Sequence, residues 1–286
     1  MKKYIFLLPL YNDWESLSML LNKISDQMIY LKQNAEILVI NDCSNVKAEK
    51  FGKYKNINKI QVLNLKKNLG SQKAISVGLN YLNKIHHKSI ITVLDSDGED
   101  DVHKIPIMIE NAEKNDDKVI VSTRTTRQEN LFFRLAYFMH KVLTLFFTLK
   151  WISYGNFSSF NSKQLKKILA NNYSWLAISS CIAQNCNIIK IKAGRKKRLI
   201  GISKLSIMGL ISHSLRVNAV FLYRAIILST LYIFILLNLN FLTFQYLILF
   251  VIQILIFNFL LIITLLKNNQ KEFYNFTDLI NEIIEL

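Results

Sequence analysis

Cysteine is scarce in this chain, with three among 286 residues. Cys43, Cys181 and Cys186 form an odd and sparse set, which suits a reducing compartment and argues against a disulfide framework. Cys181 and Cys186 stand five positions apart without a histidine close by in the sequence, so no zinc site is expected there. Zinc-finger spacing, an RNA-binding aromatic motif and an arginine-rich arm are also missing, which argues against a nucleic-acid partner.

Acidic residues are few relative to basic ones, 20 against 36, and the formal net charge is +16. Such an excess suggests contact with an anionic membrane surface or with a phosphate-bearing substrate. The basic residues gather beside the apolar segments of the chain. This distribution favours the membrane and phosphate interpretation over the alternative, which is a surface of solvated lysines.

An N-terminal signal peptide is not expected, because the apolar run at residues 4–8 is too short and no small-residue cleavage site follows it. The run instead predicts a first β-strand. Further strand patterns alternate with helical spacing, which predicts an α/β fold with a mostly parallel sheet flanked by helices. Strands are expected at residues 4–8, 36–40, 60–65, 89–94 and 118–122, and helices at residues 14–31 and 71–82.

Residues 217–266 are almost continuously apolar, unlike the first half of the chain. Segments 219–237 and 241–266 are each long enough to cross a hydrocarbon core, which needs about 20 residues, and they predict a transmembrane hairpin. Basic residues flank the pair but not its turn, so the positive-inside rule predicts a multi-pass protein of the cell membrane with both termini and the N-terminal domain cytosolic. Residues 131–151 predict a helix in the membrane interface, or alternatively a buried core helix.

Polar residues follow three of the predicted strands. Since ligands of parallel α/β sheets bind outside the carboxyl ends of the strands, these residues are expected to converge. Asp95 and Asp97 can hold a hard divalent cation, which can bridge to the diphosphate of a nucleotide. Residues 9–12, with the ring of Tyr11, can hold a nucleoside together with Glu15, and the carboxylate of Asp42 can accept hydrogen bonds from a base or a ribose hydroxyl. The alternative is that all of them are ordinary turn residues.

Five short motifs occur in order: Pro9-x-Tyr11-Asn12, Asn41-Asp42-x-Ser44, Asn68-x-Gly70-x-x-Lys73-Ala74, Asp95-x-Asp97 and Arg198-x-x-Gly201-x-Ser203-Lys204-Leu205. Together they resemble the family-two glycosyltransferases of GT-A fold. Within that family they are most similar to the dolichol-phosphate mannose synthases and the bacterial polyprenyl-phosphate glycosyltransferases. The similarity extends to about Leu215, and the paired apolar segments also suit the bacterial members.

The resemblance implies a metal-dependent, inverting glycosyltransferase that uses Mg²⁺ or Mn²⁺ and a UDP- or GDP-linked sugar. Asp95 and Asp97 would organise the metal. Glu99 stands where relatives commonly carry Gln as a metal neighbour, and it would be a third ligand. The nucleotide-binding residues would be Pro9, Tyr11, Asn12, Glu15, Asp42, Lys73, Asp95 and Ser96.

The resemblance also implies that Arg198, Lys204 and Arg124 hold the donor or acceptor phosphates, and that the catalytic set consists of Asp97, Arg198 and Lys204. The sequence departs from the family pattern at two places. The usual Asp-Pro-Pro after the metal motif is replaced by residues 100–102, Asp-Asp-Val, and Asn156 stands where many relatives have Asp. An alcohol acceptor needs a general base, so Asn156 argues mildly against such an acceptor.

The expected reaction is therefore sugar transfer from the nucleotide to a polyprenyl phosphate of the undecaprenyl type. One alternative is a membrane enzyme that glycosylates a hydroxyl of a growing glycan or glycolipid, and another is a non-catalytic membrane scaffold. Such hairpins often associate, so a homo-oligomer is among the expected partners. The expected organisation is a nucleotide-sugar-binding core at 1–130, the rest of the catalytic domain at 131–216, the hairpin at 217–266 and a cytosolic tail at 267–286.

Overall fold

The computed structural model describes residues 3–46, 51–85, 88–124, 131–201, 206–238 and 244–285. The chain divides into two compact units. The first unit comprises residues 1–129, 153–204 and 270–286, and the second comprises residues 130–152 and 205–269. The chain thus leaves the first unit twice and returns to it twice.

The first unit is built on an eight-stranded sheet with the order β7-β5-β6-β4-β1-β2-β3-β8. The central strands β4, β1, β2 and β3 are parallel, whereas β6 and β8 are antiparallel to their neighbours. The sheet is therefore mixed, with six of its eight strands running in one direction, as the predicted mostly parallel sheet requires, and with β6 and β8 running against them. The strands are β1 Lys3–Leu10, β2 Ala35–Asn41, β3 Ile57–Leu65, β4 Ser89–Val93, β5 Lys118–Arg124, β6 Tyr154–Asn161, β7 Asn187–Ala193 and β8 Ile280–Glu285.

The predicted helices at residues 14–31 and 71–82 are present as α1 and α2. Helix α1 buries one face on the sheet, because Leu17, Leu20, Leu21 and Ile24 recur at helical spacing and are fully buried. Burial of each of these side chains stabilises the fold by about 1.5–3 kcal/mol. The helices are α1 Trp14–Tyr30, α2 Ser71–Ile85, α3 Ile105–Lys114, α4 Leu131–Thr148, α5 Leu165–Ile168, α6 Ile178–Asn185, α7 Ile207–Ala219, α8 Leu222–Asn238, α9 Phe244–Leu266 and α10 Gln270–Tyr274.

The C-terminal residues, expected as a separate tail, form part of the first unit. Strand β8 pairs antiparallel with β3 at the edge of the sheet. In α10, Phe273 packs edge-on against Trp175 with ring centroids 5.8 Å apart, and Glu272 accepts a hydrogen bond of 2.5 Å from Lys67. The end of the chain is therefore held by strand pairing, ring packing and an ion pair.

The second unit contains α4, α7, α8 and α9. In the described part of the chain, residues 245–266 of α9 form one helix that is long and apolar enough to cross a membrane. Helices α7 and α8 reach that length only together, and they are bent by 89° at their junction. The second predicted span, residues 241–266, thus corresponds to one helix of sufficient length, α9. The first predicted span, residues 219–237, does not form a single straight helix of that length.

Candidate active site

The carboxyl ends of β1, β2 and β4 meet at one edge of the sheet and surround a cleft of about 390 Å³. This is the convergence that the strand-end residues predicted. The cleft is lined by Pro9, Leu10, Tyr11, Asp13, Asp42, Ser71, Asp95, Ser96, Asp97, Asn156 and Arg198.

The loop after β4 places Asp95 and Asp97 side by side in the cleft. Asp97 is partly buried, and this desolvation, followed by the negative charge of Asp95, raises the pKa of its carboxyl group. A hydrogen bond from the backbone N–H of Glu99 and the positive charge of Arg198 act in the opposite direction. Two carboxylates that repel each other in a desolvated pocket are a donor set suited to a hard divalent cation.

A third ligand for that cation was also predicted. Glu99, the predicted third ligand, forms an ion pair with Arg195 and does not line the cleft. Across the ranges that the structure describes, no group of three or more His, Cys, Asp or Glu side chains has a metal-binding arrangement. Asp95 and Asp97 therefore carry the metal prediction, which stays a prediction.

Residues 195–199, here called the basic strap, cross the loop of residues 95–101. The backbone N–H groups of Lys196 and Leu199 donate to the carbonyl oxygens of Glu99 and Asp97, at 2.8 and 3.1 Å. Lys196 also pairs with Asp101 at 3.0 Å. These bonds fix the strap beside the carboxylates and bring its fourth residue, an arginine, into the cleft.

That arginine, Arg198, is paired with Asp13 through an Nη2–Oδ2 contact of 2.5 Å. Asp13 lies just before α1 and was not predicted as a site residue, although it directly follows the motif of residues 9–12. Two further residues, Lys204 and Arg124, were predicted to bind phosphate. Lys204 lies outside the described residues, and Arg124 is described as the last residue of β5 without its side chain.

Pro9 and Tyr11, predicted to contact the nucleotide, line another wall of the cleft, and the ring of Tyr11 is exposed. Asp42 is buried, and its two carboxylate oxygens accept hydrogen bonds from the backbone N–H groups of Leu69 and Gly70, at 2.7 and 2.8 Å. Burial raises the pKa of Asp42, while these two bonds lower it. Asp42 thus shapes the loop before α2 as well as facing the cleft.

Three predicted nucleotide-binding residues do not line the cleft. Asn12 holds a neighbouring loop, since its backbone N–H donates to Ser44 Oγ at 2.8 Å and its Oδ1 accepts from the backbone N–H of Asn45 at 3.0 Å. Glu15 is exposed on the first turn of α1. Lys73 Nζ lies 5.5 Å from the ring centroid of Trp175. Residue type alone did not separate the side chains that line the cleft from those that lie outside it.

Asn156 joins the site through its amide group. Its Nδ2 donates to Asp95 Oδ1 at 2.9 Å, and its Oδ1 accepts from Gln72 Nε2 at 2.9 Å. Gln72 is buried in the first turn of α2 and was not predicted as part of the site, although it lies in the motif of residues 68–74. An amide that donates to a carboxylate in this way cannot act as a general base.

Comparison with known proteins agrees with this geometry. Residues 6–184 match the model of glycosyl transferase family 2. The chain belongs to this family. Among solved structures of similar fold is glucosyl-3-phosphoglycerate synthase from Mycobacterium tuberculosis in complex with Mn²⁺, UDP and phosphoglyceric acid. It has a TM-score of 0.53 and 12% identity, with 78% of each chain covered, and so shows the shared GT-A fold.

Two relatives are similar in sequence. An undecaprenyl-phosphate 4-deoxy-4-formamido-L-arabinose transferase from Photorhabdus laumondii is 30% identical over 138 residues, which are 47% of this chain and 41% of that protein. The glycosyltransferase YkcC of Bacillus subtilis is 25% identical over 258 residues, which are 84% of this chain and 78% of that protein. The chain thus matches less than half the length of the transferase from Photorhabdus.

Proposed function

We propose that this family-2 glycosyltransferase moves a sugar from a UDP- or GDP-linked donor to a polyprenyl phosphate at the cytosolic face of a membrane, with inversion at the anomeric carbon. The name of the Photorhabdus relative supports the class of acceptor. The ligands of the mycobacterial neighbour support a nucleoside diphosphate and a divalent metal.

The observation that carries the proposal is that each carboxylate in the described lining of the cleft already has a hydrogen-bond partner, an ion-pair partner or an assigned role. The described lining residues include four carboxylates, Asp13, Asp42, Asp95 and Asp97. Asp13 pairs with Arg198, and Asp42 accepts two backbone hydrogen bonds. Asp95 and Asp97 are assigned to the metal. The position at which many relatives have a carboxylate is occupied by an amide, so the cleft favours an acceptor that needs no general base.

A phosphate monoester is such an acceptor. Its second pKa lies near 6, so at pH 7 it is mostly a dianion and already a nucleophile. It must instead be held close to an anionic donor against mutual repulsion. The guanidinium of Arg198 can bind phosphate through two parallel hydrogen bonds. We assign the same role to Lys204 and Arg124 from the family motif.

The donor diphosphate must also leave. Asp95 and Asp97 would hold Mg²⁺ or Mn²⁺, which supplies positive charge against the developing charge of the leaving diphosphate. Arg198 is placed to add a second positive charge, because it lines the same cleft as the two carboxylates. Tyr11 offers a ring face to the base of the nucleotide, and Ser96 lies buried between the two aspartates.

The membrane topology is supported by strand pairing. Strand β8 lies in the same sheet as β1–β4, although residues 205–269 separate it from the rest of the first unit. Both ends of that segment must therefore lie on one side of the membrane, and the number of crossings between them must be even. If α9 crosses, a second crossing must lie elsewhere in that segment, and we assign it to the bent pair α7 and α8. The basic flanks place the shared side in the cytosol.

The test is a transfer assay with the full-length protein in membranes. Radiolabelled UDP- and GDP-sugars are offered with undecaprenyl phosphate, and the label is followed into an organic extract. We expect label in the extract for one donor, with release by mild acid as for a glycosyl phosphate. Label that appears only in a hydroxyl-linked glycan would refute the phosphate acceptor. Failure of every donor to bind or react would favour a non-catalytic scaffold.

A further inference from the structure

Two amide side chains link the protein backbone to one of the carboxylates in the cleft. The backbone N–H of Ile178, at the start of α6, donates to Gln72 Oε1 at 2.9 Å. Gln72 Nε2 donates to Asn156 Oδ1, and Asn156 Nδ2 donates to Asp95 Oδ1, both at 2.9 Å. The three bonds form one chain from α6 through α2 and β6 to the loop after β4.

The direction of every bond in this chain follows from its two ends. A backbone N–H can only donate, so Gln72 must present its oxygen to Ile178 and its NH₂ group to Asn156. Asn156 must then accept through its oxygen and present its own NH₂ group to Asp95. An ionised carboxylate can only accept, which is consistent with that last bond. The two amides therefore have one orientation in which all three bonds exist.

We propose that Gln72 and Asn156 are positioning residues that hold the Asp95 carboxylate in the orientation needed for the divalent cation and the nucleoside diphosphate. Gln72 is buried and does not line the cleft, so it acts on Asp95 only through Asn156. The inference rests on the metal role assigned to Asp95 in the proposed function. It does not depend on whether the acceptor is a phosphate or a hydroxyl.

The same arrangement accounts for an amide at residue 156. A carboxylate there would face Asp95 without a hydrogen between the two oxygens. Like charges at hydrogen-bond distance repel, whereas the amide N–H attracts Asp95 and leaves its other oxygen available. Partners that orient metal ligands in this way typically matter about 10–100-fold in metal affinity or activity.

The decisive variant is Gln72→Glu in the full-length protein. The glutamate keeps an acceptor for the N–H of Ile178 but loses the donor to Asn156. The amide of Asn156 is then expected to turn its NH₂ group towards Glu and its oxygen towards Asp95. We expect the affinity for Mn²⁺, measured by titration with UDP present, to fall about tenfold. We expect the rate of transfer to fall with it, while the KM for the lipid acceptor changes less than twofold.

Asn80→Asp is the matched control. Asn80 lies on the same helix, and its Nδ2 donates to the carbonyl oxygen of Ser76 at 2.9 Å, away from the cleft. The change from amide to acid is the same as in Gln72→Glu. We expect Asn80→Asp to bind Mn²⁺ within twofold of the unaltered protein. An equal loss in both variants would show that added negative charge, rather than the amide chain, causes the effect.

A double-mutant cycle tests whether Gln72 acts through Asn156. Asn156→Ala should itself weaken Mn²⁺ binding about tenfold, and Gln72→Glu should cause no further loss in that background. If Gln72→Glu does not fold, Gln72→Met takes its place in the cycle. Equal losses in both backgrounds would overturn the proposal. Absence of Mn²⁺ binding by the unaltered protein would overturn it together with the metal assignment, whereas failure of lipid transfer alone would overturn only the acceptor.

Discussion

Gly98 lies between the two elements that build the cleft, and we expect Gly98→Ala to disturb both. Its φ is +74°, and a Cβ built on it would lie 2.5 Å from Cγ of Leu199 in the basic strap. The contact involves the branch point of Leu199, so rotation of the methyl groups alone does not remove it. Leu199 is further held by its backbone bond to the carbonyl oxygen of Asp97. The strap must therefore move.

The expected cost has two parts. A left-handed backbone conformation costs a residue with a Cβ about 1–2 kcal/mol. Forcing an extra methyl group into a packed contact costs about 1–3 kcal/mol. Together the free energy of unfolding should fall by about 2–5 kcal/mol, provided that the two costs add. Activity should fall as well, because the displaced strap carries Arg198 away from Asp97.

Substitutions at two other glycines allow the backbone cost and the packing cost to be measured separately. Gly201 has a φ of +79° and nothing within 4 Å of the Cβ position, so Gly201→Ala carries the backbone cost alone. Gly52 has neither a positive φ nor a neighbour within 4 Å, so Gly52→Ala should be close to neutral. Thermal unfolding of the detergent-solubilised proteins, with transfer assays below the transition, measures both effects.

The packing argument also predicts a rescue. Leu199→Ala removes the atoms that the new Cβ would meet, so Gly98→Ala should cost less in that background than alone, by about 1–3 kcal/mol. The reasoning would be refuted if Gly98→Ala were no more destabilising than Gly201→Ala, or if Leu199→Ala gave no relief. Either result would mean that the strap and the loop after β4 are not packed against each other.

Other predictions follow from the site and its topology. Asp97→Ala should abolish transfer and Asp95→Ala should nearly do so while both proteins fold, and full activity in EDTA would contradict the metal role. Arg198→Ala should lose at least about 100-fold in transfer but retain nucleotide binding, even with a short-chain acceptor in detergent without anionic lipid. The rate should fall below about pH 6, as the acceptor phosphate takes up a proton. A cysteine at Asn240 should react with an impermeant thiol reagent from outside the cell and one at Lys271 should not; the reverse labelling would overturn the orientation.

Much of the first unit was readable from the sequence, because the signals that mark its strands are local. The five predicted runs are rich in apolar and β-branched residues and bounded by polar turns, and each is present in the sheet as one of the strands β1 to β5. The polar residues at the ends of these strands were also readable, because parallel strands bring their carboxyl ends to one edge. Asp42, Asp95 and Asp97 were placed in one cleft by that argument alone.

The later strands were not predicted, because their stability comes from distant partners. Strand β6 buries hydroxyl groups, and Ser159 Oγ lies 2.6 Å from Thr92 Oγ1 of β4, so its sequence lacks the apolar run that marks a strand. Strand β8 is short and pairs with β3, more than 200 residues earlier in the chain. These two strands make the sheet mixed.

Local pattern thus predicted which elements form and which chemical groups they carry to the cleft, since periodicity and turn chemistry depend on neighbours in the chain. The tertiary structure decided which of those groups are engaged by side chains or backbone from elsewhere in the chain. Asn12 is engaged by the loop at residues 44–46, Glu99 by Arg195, and Asn156 by Gln72 and Asp95. Each of these bonds joins residues more than 30 positions apart, and a hydrogen bond acts only over about 3 Å, so only the folded chain could specify it.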